Sequence, residues 1–152
     1  MSVAARLSEL GIELPEVAVP AGAYVPAVIS GNLVFTAGQI PLVDGKLMAT
    51  GKVGQEIDVD FAREIARRCA LNAVAAVKSV IGDLDRVKKV VKVVGFVSSE
   101  PSFTAQPQVI NGASELLEQI FGEVGIHARS AVGVAVLPLD APVEVELIVE
   151  FE

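Results

Sequence analysis

The sequence predicts an α+β sandwich, with one β-sheet and two helices covering one of its faces. Three observations predict it. Between Asp58 and Ile81 apolar residues recur at helical spacing, and residues 103–122 read mostly as a second helix. Around them lie runs rich in Val, Ile and Phe, bounded by Gly, Pro, Asn and Asp. The pieces follow in the order β-β-(β)-α-β-α-β-β, with no internal linker, sequence repeat or low-complexity segment.

The elements follow from local chemistry. Residues 2–10 form a short amphipathic helix with Val3, Leu7 and Leu10 on one side. "GIELPEVAVPAG" is an arm punctuated by Pro and Gly. Helix and arm, residues 1–21, precede the sheet within a single domain spanning 1–152. Two β-rich runs flank Gly31-Asn32, a two-residue hairpin signal. "LVDGKLMATGKVGQ" is loop with one short strand. The long helix is capped by Asp58 and followed by Gly82. Its apolar line is Phe61, Ile65, Cys69, Ala73, Val77 and Val80/Ile81, and Glu64 can pair with Arg68 at i, i+4. "RVKKVVKVVGFVSS" is a long strand. Pro107 delays the regular part of the second helix to about Gln108. A last hairpin closes the chain.

Composition bounds the function. Of the 152 residues 52% are hydrophobic, but only 5% are aromatic, so aliphatic side chains fill the interior. A mean hydropathy of +0.57 points to apolar surface buried between subunits. The alternative is a well-filled monomer core. No run is long enough to span a bilayer. The first ten residues lack the apolar region of a signal peptide, and one cysteine excludes an intrachain disulfide. The expectation is a cytoplasmic protein with no membrane partner. A net charge of -7 disfavours a nucleic-acid surface.

The stretch His127–Val149 carries the functional signal. Arg129 shares a strand face with Ala131, Gly133 and Ala135, a nearly bare strip, while Val132, Val134 and Val136 read as a core face. In a hairpin turning at Pro138–Ala141, Arg129 lies opposite Glu150, and Glu144 lies opposite Ala135. Arg129, Glu144, Glu146 and Glu150 then share the face away from the helices. Either this is a solvated face with Arg129 paired to Glu150, or it packs against other subunits around a cavity. The small residues favour the second. Arg129 and Glu144 are six residues apart along this hairpin, roughly 20 Å, too far to hold one small ligand from the same chain.

"GNLVFTAGQIP", "VIGDLDRVKKVVKVVGFV", "ARSAVGVAVLP" and "VEVELI" together resemble the RidA/YjgF/UK114 family, in a longer-chain branch, over residues 22–151. The resemblance implies a chorismate-mutase-like fold with one mixed sheet. It also implies a homotrimer whose sheets form a barrel, with clefts between subunits. The implied activity is hydrolysis of enamines and imines to 2-oxo acids and ammonia, without a cofactor or metal. The implied ligand is a small carboxylate-bearing imine, enamine or 2-oxo acid. Alternatives are a non-catalytic sensor of such carboxylates and, more weakly, an endoribonuclease.

The resemblance assigns roles to residues. Arg129 matches the arginine that clamps the substrate carboxylate, which suits its planar fork. Glu144 matches the glutamate that orients or activates water. Tyr24 matches the tyrosine that closes the cleft from a neighbouring subunit, Asn111 a cleft asparagine, and Gly38 a glycine whose backbone lines the pocket. Ala37 stands where many deaminases have serine, and Ala131 where many have cysteine. Both make the pocket less polar and suit a larger imino acid.

The remaining candidates are structural. His127, the only histidine, is a strand-edge residue or a proton donor at the cleft mouth. Cys69 is a core thiol on the helix stripe, and one Cys with one His makes no metal cluster. "GKLMATGKV" lacks the spacing and the Ser/Thr of a P-loop. Lys88, Lys89 and Lys92 mark a solvated strand edge rather than an RNA site.

Overall fold

The longest strand, β5 (Val87–Ser98), organises the sheet. In the computed structural model, residues 1–18, 20 and 22–152 are described; Val19 and Ala21, in the arm, lie outside the described residues. The chain runs α1 (Val3–Leu10), β1 (Ala27–Ser30), β2 (Leu33–Thr36), β3 (Leu42–Val43), β4 (Lys46–Leu47), α2 (Val59–Ile81), β5, α3 (Gln106–Phe121), β6 (Ala128–Val134) and β7 (Val143–Phe151). The main sheet has the order β1-β2-β7-β5-β6, and β3-β4 is a separate ribbon. All pairs are antiparallel except β5 with β6, so the sheet is mixed. Helices α2 and α3 cover one face, and α1 packs against α3. The α+β sandwich read from the sequence is the observed fold.

The local signals behave as chemistry requires. Ser2 caps α1 through Ala5 N–H, and Asp58 caps α2 through Phe61 N–H. Gly31 adopts a left-handed φ of 62° in the hairpin between β1 and β2. Apolar alternation sends Val143, Val145, Leu147 and Val149 of β7 under the helices, each at most 2% exposed. Cys69 is fully buried and donates to Val143 O at 3.5 Å. Burial, then the Glu144 carboxylate, pushes its thiol well up from the usual range.

Several expectations are corrected. The loop after Pro41 holds two short strands around Asp44-Gly45, both with positive φ, as an Asp-Gly hairpin requires. On α1, Val3 and Leu7 are buried but Leu10 is exposed. Phe61 is 37% exposed. The rest of its line, Ile65, Cys69, Ala73, Val77 and Ile81, is buried, so only the first member, in the first turn of α2, stands outside the core. Arg68 does not pair with Glu64; its Nε donates to Leu42 O at 2.9 Å. Helix α3 starts at Gln106, because Pro107 sits within the first turn, where its missing N–H costs nothing. Lys88 and Lys89 stand exposed on the part of β5 that pairs with β7 alone, a solvated edge as expected, whereas Lys92 is half-buried where β6 begins to pair.

The main correction concerns the last hairpin, which does not form. Strand β6 pairs in parallel with β5 at the sheet edge. The chain then passes the end of β5, where Ser98 N donates to Pro142 O, and β7 inserts between β5 and β2. A central place pairs β7 on both edges and buries its apolar face, which a terminal hairpin would not. This also reverses β6. Arg129 is level with Val93, which faces the helices, so the bare strip of β6 is its helix face. Val132 and Val136, read as core, are 44% and 65% exposed. Glu150 lies beside Leu33 and Lys89 and accepts from Asn32 Nδ2 at 3.1 Å, so it is not the partner of Arg129.

Candidate functional site

The candidate residues fall into two groups. The first is built on β6 and α3. Pro107, Asn111 and Ser114 are spaced i, i+4, i+7 and so share one helix face. Arg129 lies along that face. Its Nη1 donates to Asn111 Oδ1 at 2.8 Å and to Ser114 Oγ at 3.1 Å, and its Nη2 donates to Pro107 O at 3.3 Å. A guanidinium has five N–H donors. Two therefore remain, at the open edge of the sheet, for an acceptor that the described residues do not supply. Ala131, one strand step on, packs against the core beside Arg129.

The second group lies on the open face. Residues 37–40 run on past β2 and bridge to β7, with Gln39 N donating to Val145 O at 2.8 Å and Val145 N to Gln39 O at 3.0 Å. This sets Gly38 against Glu144. A Cβ at residue 38 would lie 2.2 Å from Glu144 Oε1, so only glycine fits there without displacing the carboxylate. Tyr24, Val28, Phe35, Ala37, Gly38 and Glu144 line a groove of about 710 Å³. Tyr24 stands at it 52% exposed. Burial, with the Glu146 carboxylate second, raises the Glu144 carboxyl above the ordinary 4.5. A carboxyl tuned upward can accept a proton from water near neutral pH. Another cavity, of about 510 Å³, lies between the arm and α2 near Arg68 and Asn72, and holds none of these residues.

Strand register relates the groups. Glu144 is level with Phe96 of β5, and Phe96 with Val132 of β6, three residues from Arg129. An odd offset places Arg129 and Glu144 on opposite faces of the sheet. Three residues along and two strands across put their Cα atoms roughly 14 Å apart. The expectation of one shared face is corrected, and the distance shortens. The conclusion that one chain cannot bring both to a small ligand stands on this new geometry.

Tyr24, Ala37, Gly38 and Glu144 thus come together, as do Asn111, Arg129 and Ala131, but the two sets do not meet within the chain. Sequence reasoning missed Ser114, and it missed His127 as a member of the Arg129 group. His127 Nε2 lies 2.8 Å from Ser114 Oγ, and Nδ1 lies 2.6 Å from Gly125 O. The spacing of Asn111 and Ser114 on one helix face was the available signal.

Comparison with known proteins agrees with the architecture. Residues 4–151 match the family described as "YjgF/chorismate_mutase-like, putative endoribonuclease". The chain is 51% identical over 149 residues to Protein TCP17 of Trypanosoma cruzi, covering 97% of this chain and 93% of that protein. It is 32% identical over 142 residues to a 2-iminobutanoate/2-iminopropanoate deaminase of Dermatophagoides farinae, covering 93% and 95%. The crystal structure of Atu1372 from Agrobacterium tumefaciens, a protein of unknown function, superposes with a TM-score of 0.92 at 47% identity, covering 99% and 94%. With a family match over nearly its whole length and this fold, the chain belongs to the RidA/YjgF/UK114 family.

Proposed function

We propose that the protein hydrolyses reactive imines and enamines of 2-amino acids to 2-oxo acids and ammonia, at clefts between subunits of a homotrimer. Residues 1–152 act as one domain, with residues 1–21 as helix and arm, in the cytoplasm. The observation that carries this reading is the division of the site. A cationic clamp with two free donors stands at one edge of the sheet, and a carboxyl of raised affinity for protons stands in a groove on the open face. Each is half of an active site, and a neighbouring copy supplies the other half.

The chemistry follows from the halves. Arg129 holds the substrate carboxylate. Glu144 takes a proton from water as the water oxygen attacks the C=N carbon. Glu144 returns that proton to the nitrogen, giving a tetrahedral aminoalcohol. It then relays the hydroxyl hydrogen to the amine as the C–N bond breaks, so that ammonia leaves, the 2-oxo acid remains and Glu144 is again a carboxylate. Tyr24 closes the cleft, while Ala37 and Ala131 leave it apolar. No step needs a cofactor. The open sheet face supports assembly, because Val28, Phe35 and Val132 expose apolar surface across it. Among the described residues no helix is long and apolar enough to cross a membrane.

The test is an imine-hydrolysis assay, in which an amino-acid oxidase makes the imino acid and semicarbazide traps what remains. Loss of semicarbazone that depends on Arg129 is the expected result. The missing hydroxyl and thiol at Ala37 and Ala131 favour one second reading, a carboxylate sensor. Tight binding of a 2-oxo acid with no hydrolysis across a panel from small to aromatic substrates would establish it. RNA cleavage undiminished in Arg129→Ala would overturn both.

A further inference from the structure

Arg129 is tied to a chain of hydrogen bonds that starts away from any reacting atom. Gly125 O can only accept, and His127 Nδ1 lies 2.6 Å from it, so Nδ1 carries the hydrogen. In the neutral ring Nε2 is then bare and accepts. Ser114 Oγ, 2.8 Å away, donates its hydroxyl hydrogen to it. The lone pairs of Ser114 therefore face Arg129 Nη1 at 3.1 Å. Along this chain each donor meets an acceptor, and with the ring neutral the direction of each bond follows from the Gly125 carbonyl.

A second serine shows what this arrangement prevents. Ser79 of α2 turns its hydroxyl back onto its own helix and donates to Ala76 O at 2.6 Å. That is the usual resort of a helical serine. Ser114 donates to the imidazole instead, which leaves its lone pairs to the guanidinium.

We propose that Ser114 and His127 are positioning residues for the carboxylate clamp. His127, fixed in one tautomer by Gly125, commits the Ser114 hydroxyl to accepting from Arg129. This rests on the proposed function and deepens it, because an arginine at a sheet edge otherwise spends its freedom on many rotamers. The clamp acts on ground state and transition state alike, so the pair governs substrate affinity rather than the chemical step.

The experiment measures binding of 2-oxobutanoate by calorimetry, and kcat in the imine assay, for the parent and four variants. Ser114→Ala and His127→Phe each weaken binding about five- to tenfold, the net effect of one ordinary hydrogen bond, with kcat changed less than about twofold. The Ser114→Ala/His127→Phe double variant binds no more weakly than Ser114→Ala, and Ser114→Thr restores affinity. Long-range nitrogen–proton NMR of the parent shows the proton of His127 on Nδ1. Unchanged affinity in both single variants, additive loss in the double, or a proton on Nε2 overturns the proposal. Arg129→Ala separates the levels. If it abolishes binding while the other variants do not weaken it, the positioning proposal alone falls. If it leaves binding and turnover intact, the proposed function falls and the positioning role with it.

Discussion

Gly38 packs so closely on Glu144 that one added carbon at residue 38 would stand 2.2 Å from the carboxylate oxygen. The groove is thus shaped around one side chain, whose position depends on the absence of another.

Gly38→Ala therefore tests the carboxylate directly. The obstructing atoms are the end of a flexible side chain, so the carboxylate swings away and the fold holds. Expected are a melting temperature within a few degrees of the parent and imine hydrolysis at least about tenfold slower, as for a displaced general base. Parent-level turnover would show that Glu144 need not sit where it does.

Glu144→Gln tests the burial of the charge. Burial and Glu146 raise the folded carboxyl above its ordinary 4.5, so the folded protein binds more protons than the unfolded chain between those two values. Stability linked to this group is full below 4.5 and declines as pH rises through the folded value. The glutamine variant has no such loss. Its melting temperature should exceed that of the parent at neutral pH, with the gap closing on acidification toward pH 4. A gap that widens on acidification would contradict the assigned environment.

Arg129→Lys keeps the charge but loses the fork. A lysine cannot span Asn111, Ser114 and a substrate carboxylate at once. A fall of about 10- to 100-fold in kcat/KM is expected, equivalent to one or two charge-assisted hydrogen bonds. An undiminished value would mean that charge alone suffices.

Mixing Arg129→Ala chains with Glu144→Ala chains tests the division of the site between subunits. Either variant alone is inactive. In randomly mixed rings each head-to-tail cleft draws one residue from each neighbour, so about one site in four is complete. Roughly a quarter of parental activity should return. Verified mixed oligomers that stay inactive would place both residues in one subunit's site.

The sequence revealed its elements more fully than their neighbours. Asp58, Gly31-Asn32 and the alternation of β7 marked their structures because caps, turns and half-buried strands are local chemistry. The position of β7 was not legible. A four-residue link after Leu137 serves a hairpin or a passage beyond one strand equally well, and only burial against β2 and β5 decides. That single choice reversed β6, turning Arg129 toward α3 and Val132 outward. The candidate residues themselves were legible from motifs, whereas Ser114 and His127 join the arginine only through the α3–β6 contact.

The insertion of β7 has a consequence for how the molecule is made. The strand that joins the two halves of the sheet comes last in chain order, and Val34 meets Val149 across 115 residues. Until Val143–Phe151 is present, β1-β2 and β5-β6 are separate ribbons with unpaired inner edges. Folding is thus gated by a distant pairing rather than propagated from its beginning, which makes it slow for its size. A fragment ending before Val143 would expose two sticky edges and aggregate rather than form a smaller version of the domain.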